Sequence, residues 1–125
     1  MRSMVLGVAL LTFSSATFAQ SMNAQTFYKR ATALKKKGPL AIFSGGEIKA
    51  LMNEGQASGK AAGAAYDADK KAGRPTRFCP PPGKRQMGSD EYMQRLAAIP
   101  AAERARINTT EATTRILIAK YPCRK

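Results

Sequence analysis

Few side chains in this chain are able to do chemistry, and their types narrow what chemistry is open to it. There is no histidine, so Ser-His and Cys-His nucleophile arrangements and histidine-ligated zinc are excluded. The two cysteines, Cys79 and Cys123, form neither a CxxC redox motif nor a haem-attachment sequence. No carboxylates are spaced to complete a closed zinc site with them. Asp67 and Asp69 stand two apart in a helical segment and therefore do not share a face. Asp90 and Glu91 read as acids at a helix start. Ser44-Gly45-Gly46 is a Gly-rich helix start without a phosphate-loop pattern, and capping explains it. The expectation is a protein that is not an enzyme and needs no metal or cofactor.

The cysteines gain meaning from what precedes them. Arg2 supplies a short positive n-region, Met4 to Phe13 an apolar stretch, and Ser14-Ser15-Ala16-Thr17-Phe18-Ala19 a run of mostly small residues. This is the layout of a cleavable secretory signal over residues 1–19, cut after Ala19 with Ala16 as a second candidate site. The apolar stretch is too short to span a bilayer comfortably, so no stable membrane insertion is expected. An exported protein meets an oxidising compartment outside the cytoplasm, where cysteines persist as disulfides. Two cysteines permit one pairing, Cys79 with Cys123, closing a loop of roughly 45 residues worth about 4 kcal/mol in chain entropy.

The remaining 20–125 suffices for one small domain. The formal charge of +13 becomes +12 once Arg2 is removed, since all eight acids lie beyond the leader. A pI near 10.3 draws such a chain to polyanions or to an acidic partner. Outside the cytoplasm the candidates are acidic proteins, anionic lipid head groups and cell-wall polymers, and nucleic acid is not expected.

The elements that must position these residues are helical. Val, Ile, Thr and aromatics do not alternate for more than a few residues, while Ala, Lys, Arg, Gln and Met dominate. A first helix opens at Asn23, carries Phe27, Ala31 and Leu34 at helical spacing, and closes with Lys35-Lys36-Lys37 before Gly38-Pro39. A second follows a capping box at Ser44–Glu47 and places Ile48, Leu51, Met52, Gly55, Gly59, Ala62, Gly63 and Tyr66 on one face. It stops at Lys70-Lys71-Ala72-Gly73, with Pro75 beyond. A third is capped by Ser89-Asp90-Glu91 and ends at Ile99-Pro100. A short turn over 101–107 leads to a second capping box, Asn108–Glu111, and a last helix that ends at Tyr121-Pro122-Cys123. Its threonines form helix poorly, so it should depend on tertiary contacts and on the disulfide. The expected fold is all-α: about four main helices with one disulfide staple.

Two features of this layout could bind. Gly55, Gly59 and Gly63, four apart, each cost roughly 1 kcal/mol against Ala in a helix interior. The gain that offsets this is close approach by another helix, either within the domain or across a homodimer seam, with a flexible functional hinge as the remaining reading. Between Arg74 and Gly88 lies an irregular stretch, RPTRFCPPPGKRQMG, stiffened by Pro80-Pro81-Pro82 and anchored by Cys79. A pre-stiffened loop loses less entropy on binding. Its Arg77, Lys84, Arg85 and Met87 are the candidate partner-binding residues, with a solvated connector as the other reading of the loop.

The C-terminal half carries a resemblance. Cys79-Pro80-Pro81-Pro82-Gly83, a capped helix with Tyr92-Met93-Gln94-Arg95-Leu96, Ile99-Pro100-Ala101-Ala102-Glu103-Arg104 and a final Tyr121-Pro122-Cys123 together resemble the Rap/Tai-type immunity proteins. The likeness extends over about residues 40 to 123 and is strongest over 79–123. Many members carry a further cysteine pair near the first two helices, which this chain lacks. The resemblance implies an all-helical, often dimeric periplasmic protein that binds a type VI secretion peptidoglycan amidase and plugs its cysteine–histidine cleft. Two other classes remain open: a basic envelope protein that binds anionic polymer or lipid, and a structural protein that oligomerises through the glycine face.

Overall fold

The structure is a computed structural model and describes residues 21–83 and 86–124; the expected leader over 1–19, Lys84 and Arg85 lie outside the described residues. It is all-α. Helix α1 spans Ala24–Lys36, a 3-10 helix spans Gly38–Ser44, and α2 spans Gly45–Lys71. Helix α3 follows at Ser89–Ala98, the single turn α4 at Ala101–Arg104, and α5 at Thr109–Lys120. The disulfide joins Cys79 to Cys123, with their Cα atoms 4.9 Å apart.

Local chemistry sets most of the boundaries. The Asn23 side chain accepts from the backbone N–H groups of Gln25 and Thr26 and so caps α1. Asn108 does the same for α5 through the amide of Glu111. Gly38 and Gly73 end α1 and α2 at positive φ, 53° and 67°, where a Cβ would be strained. Two of the expected caps are built differently. The chain enters α2 already coiled by the 3-10 helix, and Ser44 sits at φ −107°, ψ 36°, outside the extended geometry of a capping serine. Its hydroxyl accepts from Lys37 Nζ at 2.9 Å, and Glu47 is held by Arg30 rather than reaching back to the helix start. At α3 the cap position falls on Gly88, and Ser89 is the first helical residue.

The core is compact in membership: Ala24, Phe27, Leu51, Leu96, Ala112 and Ile116, with Tyr28, Tyr92, Met93 and Ile107 packed against it. Helices α2 and α5 form the most extensive packed pair. The starts of α1 and α5 are clipped together by two backbone bonds, Ala24 N–H to Ile107 O (2.9 Å) and Thr109 N–H to Met22 O (2.8 Å). Glu54 of α2 ties down the same corner, accepting from Met22 N–H at 2.6 Å and Thr109 Oγ1 at 2.5 Å. Thr109, Thr113 and Thr114 of α5 are buried and hydrogen-bonded, which accounts for a helix of poor intrinsic propensity that holds its place by tertiary contacts.

Candidate functional site

Helices α1, α2 and α3 do not close completely on one another. Phe27, Ala31 and Leu34 of α1, Ile48, Leu51, Met52 and Gly55 of α2, and Met93 and Tyr92 of α3 line an open apolar cleft of about 430 Å³. Met87, which precedes α3, forms part of its wall. Met52 stands at the rim, 58% exposed. Three thioethers along one cleft give it adaptable walls, because methionine changes its shape at little energetic cost.

A hydrogen-bonded set of hydroxyls underpins the floor. Ser58 Oγ and Tyr92 Oη both bond Thr113 Oγ1, at 2.9 and 2.8 Å, joining α2, α3 and α5. Ser58 Oγ also donates to Gly55 O at 2.8 Å. Burial pushes the Tyr92 phenol up, with the hydroxyls of Thr113 and Ser58 opposing that rise. The ring of Tyr92 meets Phe27 edge-on, centroids 6.0 Å apart. Through Tyr92 the wall of the cleft is thus tied to α2 and α5 by buried hydrogen bonds.

A second, smaller cavity of about 210 Å³ lies between α2, the loop and α5. Gly59, Gly63, Phe78, Pro80, Leu117 and Tyr121 line it. Tyr66 stacks on Phe78 at 5.1 Å, and Cys79 N–H donates to Tyr121 O at 2.8 Å beside the disulfide. The staple thus fixes the Pro-rich stretch against the end of α5.

Two of the four candidate partner-binding residues, Arg77 and Met87, have contacts within the molecule. Both terminal nitrogens of Arg77 donate to Glu111, at 2.8 and 2.9 Å, so its charge is engaged within the molecule. That pairing holds the Glu111 carboxyl below the usual carboxylate range. Glu111 can reach Arg77 because Asn108 starts α5 and leaves the Glu111 side chain pointing toward the loop. Met87 packs against the core and forms part of the cleft wall. Lys84 and Arg85 lie outside the described residues.

Of the two close approaches expected at the glycine face, the one within the domain is not seen. A Cβ built on Gly55, Gly59 or Gly63 would meet nothing within 4 Å, so among the described residues no helix approaches them closely. The buried stripe of α2 is Leu51, Ser58 and Ala62, turned to one side of the glycines. Small side chains at Ser58 and Ala62, rather than the glycines, let α2 and α5 pack.

The sequence reading passed over one surface. Leu40, Ile42 and Phe43 of the 3-10 helix are 64, 75 and 82% exposed. The signal was there: an apolar run, Pro39–Phe43, between a Gly-Pro breaker and a helix start, too short for a helix of its own.

Among the described residues no group of three or more cysteines or carboxylates gathers to hold a metal ion. None of the described helices is long and apolar enough to cross a membrane. No family model, curated protein or solved structure matches this chain.

Proposed function

We propose that this is a periplasmic binding protein that inhibits by occlusion, in the manner of an immunity protein against a type VI secretion peptidoglycan amidase. The observation that carries the reading is the open, methionine-walled cleft between α1, α2 and α3, set on a base of buried hydrogen bonds. Such a cleft grips an apolar loop of a partner, and a grip on a rigid body is sufficient to cover an active site. The leader, the disulfide and the positive surplus support the same reading, since they suit an exported domain that meets an acidic surface.

The test is inhibition of a type VI secretion amidase from the same bacterium by the oxidised protein, followed by release of peptidoglycan fragments. Stoichiometric loss of activity is expected. Met52→Glu, at an exposed position that leaves the core untouched, should weaken inhibition by about ten-fold or more. An amidase panel that stays fully active in excess protein rejects the reading.

The open glycine face favours a second reading, self-association along α2. Three glycines with free space before them offer a backbone surface to a second copy. Gly59→Leu would then abolish a dimer seen by sedimentation, and a wild-type protein that sediments as a monomer at high concentration removes this reading.

A further inference from the structure

The 3-10 helix Gly38–Ser44 contributes no buried residue to the fold. Leu40, Ile42 and Phe43 are its three large apolar side chains, and none of them lines either cavity. In a 3-10 helix residues three apart eclipse one another, so Leu40 and Phe43 project along one edge. A single exposed leucine needs no explanation, but three large apolar groups within four positions form a patch of the kind that marks an interaction surface.

Its charge setting identifies what it fits. Lys35, Lys36 and Lys37 lead into the ledge and Lys49 follows it, all exposed and none in an ion pair among the described residues. Lys37 Nζ donates to the neutral Ser44 hydroxyl. The only acid in the sequence between Lys35 and Met52 is Glu47. Arg30 holds its carboxylate through two bonds of 2.6 Å and keeps its pKa low, with Lys37 adding a weaker attraction. The surface that remains is an apolar edge flanked by uncompensated lysines.

We infer that this ledge is a peripheral membrane contact, with Leu40, Ile42 and Phe43 entering the boundary between head groups and acyl chains of an anionic phospholipid leaflet while Lys35, Lys36, Lys37 and Lys49 lie at the phosphates. An apolar edge beneath a basic flank is the pattern of interfacial anchors. The patch projects and encloses no cavity, which suits a deformable bilayer surface better than a rigid partner. A second copy is disfavoured, because a two-fold contact here would oppose two sets of four lysines. The inference does not depend on the inhibitor reading, since the ledge and the cleft share no lining residue.

The chain contains no tryptophan, so Phe43→Trp gives a single reporter. With vesicles of equal parts phosphatidylglycerol and phosphatidylcholine, the indole emission of that variant should shift to the blue, and with pure phosphatidylcholine it should not. In co-sedimentation with the same vesicles, Ile42→Ser combined with Phe43→Ser should lower binding by roughly a hundred-fold, on the order of ten-fold per side chain. Lys35→Gln and Lys36→Gln should each lower it roughly five-fold. These side chains are not packed, so thermal unfolding should be unchanged and serves as the control. Binding that survives the double serine variant, or that comes without a blue shift, would show charge alone at work and overturn the inference. Absence of binding to the anionic vesicles also overturns it, and loss of amidase inhibition in the serine variant would reassign the ledge to a protein partner. Inhibition retained in that variant, with vesicle binding lost, is the expected pair of results.

Discussion

Arg104 and Arg77 carry the same charge and do different work, and burial decides which. Arg104 is 6% exposed. Its guanidinium donates to the carbonyls of Leu96, Ala97 and Ile99 at the end of α3 and to Gln25 Oε1 at 2.7 Å. The same group lies 4.0 Å above the centre of the Tyr28 ring. It caps a helix C-terminus from the inside, where a cation suits the dipole. Removing it takes a donor from three carbonyls in a place water reaches poorly, and of these Leu96 O keeps the Ile99 N–H. Arg104→Leu should therefore cost about 3 kcal/mol in urea unfolding. Arg77→Ala, which breaks a half-exposed pair, should cost less than about 1 kcal/mol in the same measurement. Equal costs would contradict this assignment. Neither role could be read from spacing: Arg104 sits in the Pro-Ala-Ala-Glu-Arg turn, and its partners come from α1 and α3, which only the folded chain brings together.

At the scale of elements, boundaries were legible and faces were not. Asn23, Asn108, Gly38 and Gly73 act on their own neighbours in the chain, so sequence shows their effect. The buried side of α2 depends on what lies opposite. Ser58 is buried because Thr113 of α5 supplies a hydrogen bond, and no pattern within α2 announces that partner. The apolar cleft likewise needs three helices to exist. Because the glycines of α2 face open space, their cost is uncompensated within the monomer. Gly59→Ala should raise the stability of the monomer by up to about 1 kcal/mol, measured by denaturant midpoint at low protein concentration. A loss of stability instead would contradict the open space found around Gly59.

For the molecule as a whole, the carboxylates govern the response to pH. Side-chain bonds hold Glu47 to Arg30, Glu91 to Lys120 and Arg95, and Glu111 to Arg77 and Arg115, each carboxyl lying below its ordinary value. A group with a lowered folded pKa stabilises above its unfolded value, and that contribution is lost as pH falls through the folded one. The chain has no histidine, the side chain whose ordinary pKa falls between about pH 5 and pH 8. The unfolding temperature should be flat over that range and fall below about pH 4; a rise on acidification would contradict these pairings. The Cys79–Cys123 bond has a different kind of consequence. It turns everything from the Pro-rich stretch through α5 into a covalent ring, with the first two helices as a tail. A protease that cuts once inside the ring opens it but liberates no fragment. Two halves of a molecule nicked inside the ring remain tethered at full local concentration, so only a reductant, or a second cut, releases a piece of the ring.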